Sequence, residues 1–348
     1  MINRGCTKRY RSFLVFGMMM LVSLLILGGC GSKSNGVENE STNNKAGEIE
    51  QKKIKVGIPV DTATFLPLYV ADGQGFFKDE GLDVEIYAFK GDAGVVQALA
   101  GDSIDISVAS LTGLVQSIDS NQPFKAFWGG FNQSDFDWYS KTLTSMDDAK
   151  GAVFGITSYG SLTDSLTRYA IKKAGLDPDK DVQILQAGGS SERIAAMESG
   201  QMDVSILATP YKFMAKDQGM NLLLSEREDI VSKWPNHVIY GKEDLINSKP
   251  ESIKAFLRAI VTANEYIEAD PEGAAKVMAE KLQFEEKYAK LAVEDVSLGY
   301  DKRGGIDQEG LDFFWELSVE MGEVDSPWED GKWLDRTFID SQDEWVNN

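Results

Sequence analysis

Along 54–59 apolar and polar residues alternate (Ile-Lys-Val-Gly-Ile-Pro), the period of two that predicts a β-strand. Asp61, Thr62, Ala63 and Thr64 follow as turn and capping chemistry for a helix through 69–77, with Pro67 in the first turn, where a missing N–H is tolerated. Residues 81–86 return to strand character, Gly91-Asp92-Ala93-Gly94 opens a short helix to Ala100, and 104–109 make a third strand. The unit is βαβαβ.

The same order returns further along. Strand 153–157 leads to helix 161–173, Gly175-Leu176-Asp177 leads into strand 182–185, Gly188-Gly189-Ser190-Ser191 opens helix 192–198, and Gly200-Gln201-Met202-Asp203 leads into strand 204–208. Two half-units of like syntax predict two α/β lobes. A strand at 236–241 then precedes a helical tail, in which 250–269, 271–282, 285–296 and 308–321 carry apolar residues at helical spacing and Pro or acids near their starts. The tail is expected to pack on the first lobe.

The chain's beginning follows a different pattern. Arg4, Lys8, Arg9 and Arg11 come without an acid, and 13–27 are an unbroken apolar and small-residue stretch ending in Leu27-Gly28-Gly29-Cys30. These are the three parts of a secretory signal, and the stretch is short for a membrane span of about 20 residues. The small-small-Cys ending resembles the lipobox of bacterial lipoproteins, which implies a signal peptide over 1–29, cleavage before Cys30 and acyl chains on Cys30. Two or more chains anchor stably where one is marginal. Residues 30–53, rich in Ser, Asn, Gly, Glu and Lys, have little to bury and are expected to form a flexible tether.

The 348 residues carry a net charge of −20, and loss of the basic signal makes the balance more negative. Nucleic acid is excluded as a partner, and an acidic surface does not lie on an anionic membrane, so the lipid is what holds the protein at the bilayer. With Cys6 in the signal and Cys30 lipidated, no thiol remains for a disulfide, a zinc cluster or a nucleophile. The single histidine, His237, rules out multi-histidine metal sites and most imidazole catalysis. No metal and no cofactor are expected. The remaining length is one at which a single core usually divides into two.

The run Ala71-Asp72-Gly73-Gln74-Gly75-Phe76-Phe77-Lys78-Asp79-Glu80-Gly81-Leu82-Asp83-Val84 resembles the characteristic stretch of solute-binding proteins of ABC importers, in the branch that handles nitrate, taurine, other sulfonates and thiamine-precursor pyrimidines. Three further stretches agree: Val95 to Asp105, Ala174 to Val182, and Pro250 to Ile260. The resemblance implies a two-lobed periplasmic-binding-protein-like fold of type II, with doubly wound sheets, a hinge and a C-terminal helical tail. Lobe 1 is expected over 54–140 and 230–348 and lobe 2 over 141–229, with crossings near 138–144 and 224–237. It also implies a monomer on the extracytoplasmic face that closes over a small solute and presents it to a permease with its ATPase. A ligand-sensing subunit shares this mechanism. A pyrimidine synthase-like enzyme shares the fold, but its cysteine-rich iron site and histidines have no counterpart here, so no enzymatic activity is expected.

In doubly wound lobes ligands bind beyond the carboxyl ends of strands, where helices begin with free N–H groups and a positive dipole end. The helix starts here bring forward Asp61, Thr62, Thr64 and Phe65, then Asp92 and Ala93, then Ser158, Tyr159, Gly160, Ser161 and Thr163, then Gly189 and Arg193, with Ser110 at the end of the third strand. Ser161 with Asp164 also reads as a capping pair. Trp138 and Tyr139, before the first crossing, and Thr209 and Tyr211, after the last strand of lobe 2, are further candidates for lining the cleft. Arg193 suits a sulfonate, taurine or nitrate-like anion, and Asp61 suits an amine or amino-pyrimidine. A neutral heteroaromatic, such as a thiamine-precursor pyrimidine or a flavin precursor, stays open as the ligand.

Overall fold

The computed structural model describes residues 47–346; the expected signal peptide, Cys30 and most of the expected tether lie outside the described residues. The last residues assigned to the tether are held in place. Gln51 N–H donates to Ser252 Oγ at 2.8 Å, and the Glu50 carboxylate accepts from Ser252 N and Oγ, both at 2.9 Å.

The first sheet has the order β2-β1-β3-β10-β4, formed by β1 (Lys53–Ile58), β2 (Asp83–Ala88), β3 (Ile106–Ser110), β4 (Phe124–Gln133) and β10 (Lys233–Lys242). The second has the order β7-β6-β8-β5-β9, formed by β5 (Asp137–Ser140), β6 (Val153–Ile156), β7 (Gln183–Gln186), β8 (Val204–Leu207) and β9 (Asn221–Ser225). In each sheet the first three strands run parallel, and the strand that comes from the other crossing runs antiparallel beside them. The two sheets are topological copies, as the repeated syntax predicts.

Between the strands lie α1 (Leu66–Gly73), α2 (Phe76–Asp79), α3 (Asp92–Ala100), α4 (Leu111–Asp119), α5 (Leu162–Lys173), α6 (Ser190–Glu198) and α7 (Tyr211–Asp217). The single helix expected over 69–77 is two, because Gly75 sits at φ 84°, a left-handed conformation that ends α1 and recaps α2. The tail gives α8 (Glu243–Ser248), α9 (Pro250–Ala269), α10 (Pro271–Leu282), α11 (Glu286–Val296) and α12 (Gln308–Glu320), then short turns α13 to α15 between Asp330 and Trp345. Pro250 and Pro271 start their helices where the sequence placed them, since proline at the first position gives up an N–H that has no partner there. Helices α9 to α11 pack with β1 and β3 in one core. Helix α12 and the turn after it also reach the second lobe, through Phe313 against Tyr169 and Glu323 accepting from Ser165 Oγ.

The first crossing lies earlier than 138–144. β5 already pairs with β8 and β9, so Asp137 to Ser140 belong to the second sheet and the chain crosses at 134–136. It returns at 226–232. The two passages are bonded to each other: Ser134 N–H to Ser232 O at 3.2 Å, Glu226 N–H to Phe136 O at 2.9 Å, and Asp135 and Phe136 N–H to the Glu226 carboxylate at 3.0 and 3.1 Å. This paired connection joins the two lobes and is where a hinge between them would lie.

Candidate ligand-binding cleft

Strand ends from both sheets converge on one cavity of about 50 Å³. It is bounded by the residues after β1 (Thr62, Thr64, Phe65), after β2 (Gly91, Asp92), at the end of β3 (Ser110), after β6 (Thr157, Ser161, Thr163), at the start of α6 (Ser190, Arg193) and at the start of β10 (Asn236, His237). At ~10–15 Å³ per water-sized probe it holds roughly three to five waters. Lobes so close must touch, and they do. Ala63 N–H donates to Thr209 O at 3.1 Å, and Leu162 N–H donates to the Asp92 carboxylate at 3.3 Å.

Asp92 starts α3 in the first lobe and is fully enclosed. Its carboxylate takes Ser110 N–H at 3.2 Å from its own lobe and Leu162 N–H from the first turn of α5 opposite. Burial pushes its pKa up, against those two donors. Arg193 is equally enclosed, 2% exposed, on the second-lobe wall. Its guanidinium donates to Ser205 Oγ (3.0 Å), Thr157 Oγ1 (2.9 Å), Ser190 Oγ (3.0 Å), Ile206 O (2.8 Å) and Gly188 O. All are neutral acceptors. Desolvation lowers its pKa to about 10, against the neighbouring Glu192 charge, and this is still well above neutrality, so the site keeps a positive charge.

On the first-lobe side His237 stacks between Phe65 (4.6 Å) and Phe131 (5.7 Å). Its Nε2 lies 2.9 Å from Thr64 O, a contact that requires a proton on that nitrogen, and burial lowers its pKa to about 3. It is a neutral platform. Beside it the Asn236 Nδ2 amide, 5% exposed, has no hydrogen-bond partner.

Of the residues read from sequence, Thr62, Thr64, Phe65, Asp92, Ser110, Ser161, Thr163 and Arg193 line this cavity together. The others do not. Asp61 is exposed and accepts from Tyr69 OH at 3.1 Å, and Ala93 faces outward on α3. Trp138 is buried inside the second sheet with Nε1 donating to Thr167 Oγ1 at 3.2 Å, and Tyr139 lies in a separate apolar cluster. As members of β5 they are core, not cleft. Tyr159 is exposed with its hydroxyl on Ile184 O, and Gly160 donates to Asp164. Ser158 is buried behind Gly91, Gly189 precedes the cavity-lining Ser190, and Thr209 and Tyr211 make lobe-to-lobe contacts beside the cleft. Ser161 does not cap α5; its hydroxyl turns to Ser158 O at 2.7 Å, while Asp164 reaches Gly160 N–H and Arg168. The cap comes from Asp92 across the cleft.

Sequence reasoning missed Pro59, Val60, Phe136, Thr157, Asn236 and His237. The available signal was Asn236-His237, two polar residues at the head of an otherwise apolar strand. Among the described residues no group of three or more His, Cys, Asp or Glu is placed to hold a metal ion.

A family profile described as NMT1/THI5 like matches residues 62–274, more than half of the chain. The chain belongs to the NMT1/THI5-like family. Within the matched span lie the cavity-lining residues from Thr62 to His237 and both passages between the lobes. Among curated relatives, YtlA of Bacillus subtilis (strain 168) is 25% identical over 230 residues, 62% of this chain and 66% of YtlA's own length. The nitrate/nitrite binding protein NrtA of Nostoc sp. is 22% identical over 326 residues, 82% of this chain and 72% of NrtA. A solved structure from Bordetella bronchiseptica RB50 superposes with a TM-score of 0.76 at 24% identity, covering 87% of this chain and all of that one. The periplasmic aliphatic sulphonate binding protein SsuA from Escherichia coli superposes at 0.63 with 13% identity, covering 81% and 91%. These likenesses show the periplasmic-binding-protein fold, and YtlA, NrtA and SsuA all carry the names of binding proteins.

Proposed function

We propose that this NMT1/THI5-like protein is a lipid-anchored, extracytoplasmic solute-binding protein that captures a small solute bearing an anionic group and delivers it to an ABC importer. One observation carries the ligand class: Arg193, a buried cation in the wall of the cavity between the lobes, hydrogen-bonded only to neutral oxygens and offset by the Glu192 charge alone. A charge removed from water is costly unless compensated, and an anion in the cavity supplies that compensation. The unpartnered Asn236 amide offers a donor to the same group. The names of NrtA and SsuA, nitrate and sulphonate binders, agree with a sulfonate, taurine or nitrate-like ligand. The Phe65–His237 stack favours a second reading, a neutral heteroaromatic lying on that face. The cavity of about 50 Å³ is well below the ~150 Å³ that holds a benzene ring, so a flat ring requires the lobes to stand further apart.

Closure explains delivery. A solute that bonds both walls stabilises the closed form over the open one, and a 1:99 to 99:1 shift needs about 5.5 kcal/mol of differential binding. The permease then reads the closed shape.

The test is a thermal-shift panel of nitrate, taurine, alkanesulfonates, aminopyrimidines and flavin precursors. At a hundredfold excess over Kd a ligand stabilises by about 2.7 kcal/mol, about 5 to 10 °C for a protein of this size. A shift with an anionic compound supports the reading, a shift with only the neutral rings moves it to the second, and no shift anywhere overturns both.

A further inference from the structure

Phe65 and His237, which stack on the first-lobe side of the cleft, have a second space behind them. Both border the cavity between the lobes and also a smaller one of about 20 Å³ within the first lobe, whose other walls include Gly130 of β4, Asn264 of α9 and Tyr300. At ~10–15 Å³ per water-sized probe this second cavity holds one water. Gly130 makes the room. In the β4–β10 ladder the register steps from His237–Phe131 to Val238–Gly129, so Gly130 bulges without a partner residue, and a Cβ on it would overlap His237 Nδ1.

Two buried acceptors belong to its walls. With the proton on Nε2 for the Thr64 O contact, His237 Nδ1 is bare and can only accept, and it has no hydrogen-bond partner among the described residues. Asn264 Oδ1, on a residue 5% exposed in the buried face of α9, has none either. Ser252, the other polar residue of that face, is met by Glu50 and Gln51. The Tyr300 hydroxyl is committed to Ala63 O at 3.1 Å. Two acceptors cannot satisfy each other, and a buried acceptor without a donor is costly. A water carries two O–H donors, the number required.

We propose that Asn264 is a positioning residue for His237, acting through one water bound behind the ring that donates to His237 Nδ1 and to Asn264 Oδ1. The bridge selects the tautomer with its proton on Nε2. The other tautomer would set a bare nitrogen against the Thr64 carbonyl and leave one of the water's donors without an acceptor. The imidazole is thereby held in one orientation in the wall of the cleft, whatever solute the cleft takes.

His237 is the only histidine in the chain, so the untagged protein carrying histidine labelled for nitrogen NMR gives a single pair of ring nitrogen signals at neutral pH. The expected Nδ1 signal lies upfield of an unprotonated, unbonded imidazole nitrogen. It should move downfield in Asn264→Leu, which fills the space without offering an acceptor, and keep its place in Asn264→Asp, which retains one. A crystal structure of the parent should show water density between Nδ1 and Oδ1, lost in Asn264→Leu. Structural damage alone would broaden or average both ring signals rather than move Nδ1. If Asn264→Leu does not fold, the parent decides. An Nδ1 signal at the unbonded position, or no water density behind the ring, overturns the proposal, and so does an Nδ1 signal that Asn264→Leu leaves unmoved.

Discussion

Lys212 Nζ on α7 lies 2.7 Å from Asp295 Oδ2 on α11, an ion pair that joins the second lobe to the first beside the hinge. The same carboxylate takes Arg227 Nη1 at 2.8 Å and Thr209 Oγ1 at 2.6 Å, and Lys212 Nζ also donates to Asp135 O at 3.2 Å. Burial opposes ionisation of Asp295, but the Lys212 and Arg227 charges outweigh it and hold its carboxyl below the usual range. The group joins three segments that must separate when the lobes part.

Asp295→Asn is therefore expected to favour the open form. Lys212 keeps Asp135 as a partner, so the loss is smaller than the 3–5 kcal/mol of a stranded buried charge; a loss of about 1–3 kcal/mol in closure weakens ligand binding by about 5- to 150-fold. Small-angle scattering of the unliganded variant should show a larger radius of gyration. An unchanged radius with unchanged affinity would show that the pair plays no part in closure.

Glu226, at the passage between the lobes, is expected to make stability depend on pH. Burial raises its pKa to about 8, outweighing the Asp135 and Phe136 N–H donors, and the neighbouring Asp135 and Asp137 charges add to the rise. An unfolded glutamate titrates near 4.3, so between there and about pH 8 the folded protein holds a proton that the unfolded chain does not, and stability falls as pH rises through that window. Asp135, raised to about 6 chiefly by burial, works in the same direction over the lower part of it. Glu226→Gln keeps an acceptor for both N–H groups and should flatten the profile, leaving the variant more stable than the parent at pH 8 by on the order of 3 kcal/mol. Melting temperatures from pH 5 to pH 8.5 measure this; parallel curves for the two proteins would count against a buried, protonated Glu226.

Anchoring has a direct readout at Cys30. With Cys30→Ala the expected outcome is release of the protein to the medium or accumulation of the uncleaved chain, followed by fractionation and intact mass. Normal processing with full membrane retention would reject lipidation, because the acidic surface provides no other hold on an anionic bilayer.

The parts of this architecture legible in the sequence were those set by local chemistry. The strand, glycine turn and helix order of both lobes followed from alternation and from glycines, and Pro250 and Pro271 marked helix starts to the residue. Thr62, Asp92 and Ser161 met in one cavity because the carboxyl ends of parallel strands converge by topology. Trp138 and Tyr139 were misplaced because β5 is a four-residue strand buried on both sides, whose aromatic run has no clear alternation. Arg193 was placed in the site, but its partners come from β6, β8 and the loop before α6, contacts that spacing along one helix does not encode.

Gly91 tests whether the cleft must shut this far to hold its ligand. It stands at φ 103°, where side chains are rarely tolerated, and a Cβ there would clash with Ser158 Oγ of the opposite lobe. The backbone strain, about 1–3 kcal/mol, acts in both open and closed forms, whereas the clash acts only when the lobes meet. Gly91→Ala should therefore lower the melting temperature modestly and weaken ligand binding by more than that loss accounts for. The double variant Gly91→Ala with Ser158→Gly removes the clash and keeps the strain, so it should recover affinity while the lowered melting temperature remains. Failure of the double variant to recover affinity would place the whole effect in the first lobe's backbone and separate Gly91 from closure.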